Sequence, residues 1–148
     1  RNDSMNFDPT AGWSLDPQLE RDSVALGHLT LCQVRLMNDA NYPWLLLLPR
    51  RANATEITDL VAADRAQLMQ EIAQSADALK SETACLKINV AAIGNMVAQL
   101  HVHIVARFRT DAAWPKPVWG HLPARAYDGA ALQKLAAALR TRLAMAPM

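Results

Sequence analysis

The stretch Gln99-Leu100-His101-Val102-His103-Ile104-Val105-Ala106-Arg107 alternates with period two, the signature of a strand with one face against a core. Leu100, Val102, Ile104 and Ala106 share one side. Gln99, His101, His103, Val105 and Arg107 share the other. Same-side neighbours on a strand stand about 6.5–7 Å apart. The pattern commits the chain to a sheet. It also sets a carboxamide, two imidazoles and a guanidinium in a row with roughly the reach of a phosphate chain.

The neighbouring segments supply the rest of that sheet. Asp16-Pro17 opens a short helix, with Asp16 capping free N–H groups and Pro17 at the first helical position; Gly27 stops it soon after. Residues 29–37 read as a strand, Asn38-Asp39-Ala40-Asn41 as a turn, and Trp44 to Pro49 as a second strand covered on both faces. These two form an antiparallel hairpin. Thr55 opens a short helix. Residues 63–82 form a long one, with Leu68, Ile72, Ala76 and Leu79 at helical spacing and its Met and Leu side chains in the core. Residues 86–90 read as a third strand, Ala91 to Asn95 as a loop punctuated by Gly94, and Met96 to Phe108 as the fourth strand, paired with the third as a hairpin. Asp111 to Gly120 is rich in Trp and Pro and excludes regular helix; it reads as a tail packed over the domain or across a dimer. Asp128 begins a last helix through Leu143. The sum is an α+β domain: an antiparallel sheet with a long helix packed on it and short N- and C-terminal helices. One domain spans 1–148, with its core in 25–109 and the tail and last helix in 110–148.

With 148 residues, 51% of them apolar, the chain suits one domain with a sizeable core. Fifteen basic residues against fourteen acidic leave a net charge of +1, which argues against a nucleic-acid binder. No apolar run approaches the roughly 18 residues of a membrane span. Cys32 and Cys85 are far apart and in no C-x-x-C pattern, so they read as buried free thiols of a cytoplasmic protein. The polar start shows no secretory signal, and Met5 reads as the native start.

Three chemistries compete for the histidine row. Two imidazoles at i and i+2 can be no more than solvated side chains on a polar face. They can share a metal ion, but zinc needs further ligands, and neither His28, His121 nor the cysteines stand at ligand spacing. Or an imidazole can serve as a nucleophile near neutral pH. One ring nitrogen must then keep its lone pair toward phosphorus while the other holds its proton against an acceptor, such as a backbone carbonyl. Catalysis would consist of positioning and of donors along the phosphate oxygens, with His103, Gln99, Arg107 and the Gly94-Asn95 loop to supply them.

Gln-Leu-His-Val-His-Ile-Val resembles the His-φ-His-φ-His-φ-φ motif of the histidine triad (HIT) superfamily. The likeness extends over residues 25–109: the hairpin, Leu47-Leu48-Pro49-Arg50-Arg51, the long helix, a Leu86-Lys87-Ile88-Asn89 strand, the Gly94 loop and the motif strand come in the family's order. The Trp/Pro segment is similar to a tail of bacterial members. The resemblance implies a HIT-like fold and attack by the middle motif histidine, His101, on the α-phosphate of a nucleotide. It implies that His103 bonds a phosphate oxygen, with its carbonyl orienting the nucleophile. Asn89 would hold the phosphate or leaving-group side, and Asp39 the ribose hydroxyls.

Three positions depart from the pattern. Gln99 replaces the first triad histidine and can donate and accept but not titrate. Asn95 and Met96 replace Gln and Ser or Thr, and a thioether does not replace a hydroxyl. Ala52 and Asn53 stand near where a histidine is common. The resulting expectation is a homodimeric nucleotide hydrolase or nucleotidyltransferase, acting on phosphoramidates or dinucleoside polyphosphates with adenine nucleotides favoured. His101, His103 and Gln99 form its catalytic row; Asn89, Gly94, Asn95, Asp39 and Arg107 hold nucleotide and phosphate. No metal site and no cofactor is required, although Mg²⁺ can accompany a polyphosphate. The alternative is a nucleotide-binding module with little or no turnover.

Overall fold

The computed structural model describes residues 7–145; Met5 as the native start lies outside them. The elements run α1 (Pro17–Asp22), β1 (Ser23–His28), β2 (Cys32–Met37), β3 (Trp44–Pro49), a 3-10 turn (Ile57–Asp59), α2 (Ala62–Thr83), β4 (Lys87–Ala91), β5 (Val102–Arg107) and α3 (Gly129–Arg142). The five strands form one sheet in the order β1-β2-β3-β5-β4, every neighbouring pair antiparallel.

Alternation along each strand sends side chains to two cores. Val34 and Leu36 of β2, Leu45 and Leu47 of β3, and Val102, Ile104 and Ala106 of β5 face α2 and α3, which contribute Leu68, Leu79, Leu132, Ala136 and Leu139. Trp44, Leu46, Leu48 and Val105 face the other way, against Leu19 of α1 and Ala113 and Val118 of the Trp/Pro segment. All six residues of β3 are buried, as a strand covered on both faces requires. Among the described residues no helix is long and apolar enough to cross a membrane.

Four expectations are corrected. First, the sheet has an extra strand, β1, where a helix ending at Gly27 was anticipated. A shift in register between Ala25 and Gly27 marks a bulge, so period two is broken and the strand signal is blurred. Arg140 of α3 donates to the carbonyls of Ala25 and Leu26 there. Second, the strand expected over 29–37 starts only at Cys32. The Glu71 carboxylate, 1% exposed, accepts from the Leu31 and Cys32 N–H groups and from Gln67, and so ties this turn to α2.

Third, the strand expected over 96–108 is only Val102–Arg107. The Leu100 N–H donates to the Ala54 carbonyl at 3.0 Å, so the chain meets the 52–55 loop before it meets β3. Fourth, Met69 of α2 is 63% exposed and not a core residue. The C-terminal helix and the long helix stand where the periodicity put them.

Candidate functional site

The second face of the sheet carries a cavity of about 530 Å³, within the range of small-molecule sites. Its floor is Trp44 and Leu46 of β3 with His101 and His103 at and just before β5. Leu19, Asp22, Met37 and Asp39 wall it on the α1 and β2 side. Gly94, Asn95 and Met96 border it on the β4–β5 loop, and Val118 and Trp119 on the tail. The topology explains the meeting. β5 lies between β3 and β4, so the loop entering β5 and the tail leaving it both overhang the histidines.

His101 and His103 are 6% and 8% exposed, with ring centroids 4.8 Å apart. Their hydrogen bonds fix their protonation in opposite senses. The Nδ1 of His101 lies 2.6 Å from the Gln99 carbonyl oxygen. A carbonyl only accepts, so this nitrogen is the one that carries the proton, and the neutral ring keeps its lone pair on Nε2. The orienting carbonyl belongs to Gln99 and not, as expected, to His103.

The indole Nε1 of Trp44 donates to His103 Nδ1 at 3.0 Å. Indole only donates, so Nδ1 of His103 is bare and its proton sits on Nε2. Burial pushes the His103 pKa down to about 4, with repulsion from His101 adding to it. His103 is thus a neutral donor at physiological pH, beside an imidazole with a free lone pair.

The remaining expected residues divide. Gly94, Asn95 and Asp39 border the cavity. Asp39 is 4% exposed, and its Oδ1 accepts from the N–H groups of Asn41 and Arg125. Gln99 does not enter the row. Its carboxamide accepts from the Asp16 N–H and donates to the Ser14 carbonyl, fastening the N-terminal segment beside a separate crevice that it helps line.

Arg107 does not reach the cavity either. It is 1% exposed, pairs at Nε and Nη2 with both carboxylate oxygens of Asp111, and donates to Asn89 and to the Lys116 carbonyl. Asn89 is therefore a partner of Arg107 and does not line the cavity. Burial pushes the Asp111 pKa up, but hydrogen bonds from Arg107, Phe108 and Trp114 and the guanidinium charge hold it below the usual value. This cluster staples the tail to β5.

Residue patterning had not singled out Trp44, Asp22 or the apolar wall. Period two along β3 puts Trp44 and Leu46 on the face of His103, which pairs with Leu46; that alternation was the available signal. Among the described residues no group of three or more His, Cys, Asp or Glu is placed to hold a metal ion.

The model of the HIT domain family matches residues 18–110. A histidine triad protein from Bradyrhizobium japonicum is 51% identical, with a TM-score of 0.88 over 89% of this chain and 98% of its own. One from Sinorhizobium meliloti is 43% identical, with a TM-score of 0.87 over 91% of this chain and 99% of its own. A third, from Marinobacter aquaeolei, is 37% identical, with a TM-score of 0.87 over 89% and 96%. No curated protein matches the chain. With the family match covering most of the chain and relatives of this identity sharing its whole fold, the chain belongs to the histidine triad family.

Proposed function

We propose that the chain is a nucleotide hydrolase or nucleotidyltransferase that works through a covalent nucleotidyl-histidine on His101. Its substrate class is a nucleoside phosphoramidate or a dinucleoside polyphosphate, with adenine the favoured base. The observation that carries the reading is the opposite protonation of two adjacent, buried imidazoles at the floor of one cavity.

The nucleoside lies on the Leu19, Met37 and Leu46 side, where Asp39 can accept from ribose hydroxyls. The α-phosphate then sits over the histidines. His101 Nε2 gives its lone pair to phosphorus while the bond to the leaving group breaks, and the leaving group takes that bonding pair and a proton from bulk water. The ring becomes cationic; its proton stays on Nδ1, donated in the hydrogen bond to the Gln99 carbonyl, which favours the charged form. His103 Nε2–H donates to a phosphate oxygen throughout. Water, or another acceptor, next attacks phosphorus and loses a proton to bulk, and His101 leaves with the N–P pair. One proton is taken up and one released.

A second reading is kept by Met96, which is 97% exposed and offers no hydroxyl at the cavity: a nucleotide-binding module with little turnover. Incubation with an adenosine phosphoramidate and a dinucleoside polyphosphate separates the two. Release of AMP, abolished in His101→Ala, supports the enzyme. Binding without AMP release from either substrate supports the module. We also propose a homodimer, in which a second copy covers the edge strand β4 with its exposed Val90 and the exposed Leu86 just before it; light scattering at two concentrations tests it.

A further inference from the structure

Gln99 and His101 both stand before the sheet, since β5 begins at Val102. Of the strand pairings among the described residues, none reaches the peptide unit between Gln99 and Leu100. The carbonyl of that unit is the acceptor for His101 Nδ1, at 2.6 Å. A peptide unit is planar, so its carbonyl can point only where its N–H and its two Cα atoms allow. The bond to the ring weakens steeply once the carbonyl turns away. Something other than the ladder must set the plane.

Bonds from two other segments do so. The Leu100 N–H, at the opposite end of the same unit, donates to the Ala54 carbonyl at 3.0 Å. The Gln99 carboxamide accepts from the Asp16 N–H at 2.9 Å and donates to the Ser14 carbonyl at 2.7 Å. Both of these partners are backbone groups of the N-terminal segment, 83 and 85 residues away in the chain. That segment is anchored in turn. Trp13 and Leu15 pack on the second core. A methyl group at Gly12 would stand 3.4 Å from the Ala52 Cβ, so the segment lies against the loop that also holds Leu100. Segment and loop meet at Gln99, which lines the crevice between them.

Resting on the nucleotidyl-histidine reading above, we infer that the N-terminal segment from Gly12 to Asp16 is a positioning element for the nucleophile. It acts through Gln99, a positioning residue, on the 99–100 peptide unit, and holds the carbonyl of that unit toward His101 Nδ1. The Nδ1 proton is thereby kept on the side of the ring away from the cavity, and Nε2 presents its lone pair. The two carboxamide bonds ask for one acceptor and one donor on a single side chain, which Gln supplies and a neutral imidazole also can.

The test reads two signals. One is the Nδ1–H resonance of His101, by ¹⁵N NMR of the unliganded protein. The other is kcat and KM for AMP release from an adenosine phosphoramidate. Gln99→Leu removes both carboxamide bonds. Gly12→Val leaves Gln99 untouched; its backbone has a φ of 79°, which strains a β-branched residue, and the new side chain pushes the segment off Ala52. In each variant the Nδ1 proton should exchange with water about two- to tenfold faster. kcat should fall about two- to fivefold, the scale of one hydrogen bond, with KM unchanged. The double variant should do no worse than Gln99→Leu alone, because one route carries both effects. Gln99→His should restore both signals relative to Gln99→Leu. An unchanged Nδ1–H signal in Gln99→Leu and Gly12→Val, additive losses in the double variant, or an equal loss in Gln99→His overturns this inference and leaves His101 chemistry standing. Absence of AMP release from the wild-type protein overturns the nucleotidyl-histidine reading instead, and the Nδ1–H signal still decides whether the segment positions the ring.

Discussion

Acidification from about pH 7.5 to about pH 4.5 should cost the wild-type fold about 2–3 kcal/mol more than it costs a His103→Gln variant. His103 is 8% exposed, and burial, with His101 beside it, lowers its pKa to about 4. In the unfolded chain an imidazole titrates near 6.5. Between those two values the unfolded state holds a proton that the folded state does not, so stability falls as pH falls through the window. It is level above the unfolded value and levels again below the folded one. The whole window corresponds to about 3 kcal/mol at about 1.4 kcal/mol per tenfold, and most of it is realised by pH 4.5. Gln at 103 keeps an acceptor for the Trp44 indole and a donor toward the cavity but does not titrate. Urea unfolding of both proteins across the range gives the difference, in which the titrating groups away from His103 cancel. Curves that stay parallel to within about 0.5 kcal/mol would refute the neutral, buried assignment of His103.

Three further substitutions separate scaffold from chemistry. Gln99→Ala removes the bonds to Asp16 and Ser14 but leaves the carbonyl that holds His101, so kcat for AMP release should drop by less than about fivefold, one hydrogen bond's worth; a loss on the scale of His101→Ala would put the carboxamide in the reaction. Arg107→Met strands the buried Asp111 carboxylate and should lower unfolding free energy by about 3–5 kcal/mol, measured by denaturant titration, with KM unchanged at temperatures where the variant is folded. Glu71→Ala leaves the buried Leu31 and Cys32 N–H groups without their acceptor. It should cost about 2–6 kcal/mol by the same titration, at about 1–3 kcal/mol for each orphaned group, with kcat retained.

Period two carried the sheet assignment wherever a strand has one core face, and it failed where geometry breaks the period. β1 was hidden by its bulge before Gly27. β5 was drawn too long because Gln99 and His101 continue the alternation although Leu100 pairs with Ala54. For the same reason Gln99 looked like a member of the histidine row: alternation gives a direction only while the strand lasts. Arg107 does lie on the expected face, but an ion pair with Asp111 four residues on is a tertiary event of the tail, and spacing alone carries no trace of it. Asp39 joined the candidate site through the family resemblance and Gly94 through the loop it punctuates, and both border the cavity. The protonation of His101 and His103 depends on a carbonyl two residues back and on an indole from β3, and only the folded sheet brings that indole to its ring.

The division of labour between the two imidazoles is open to direct observation by ¹⁵N NMR of the histidine rings in the unliganded protein near neutral pH. His101 should show a protonated Nδ1 and a bare Nε2, and His103 a bare Nδ1 and a protonated Nε2. The same tautomer on both rings, or a charged His103, would contradict the assignment of one as nucleophile and the other as donor.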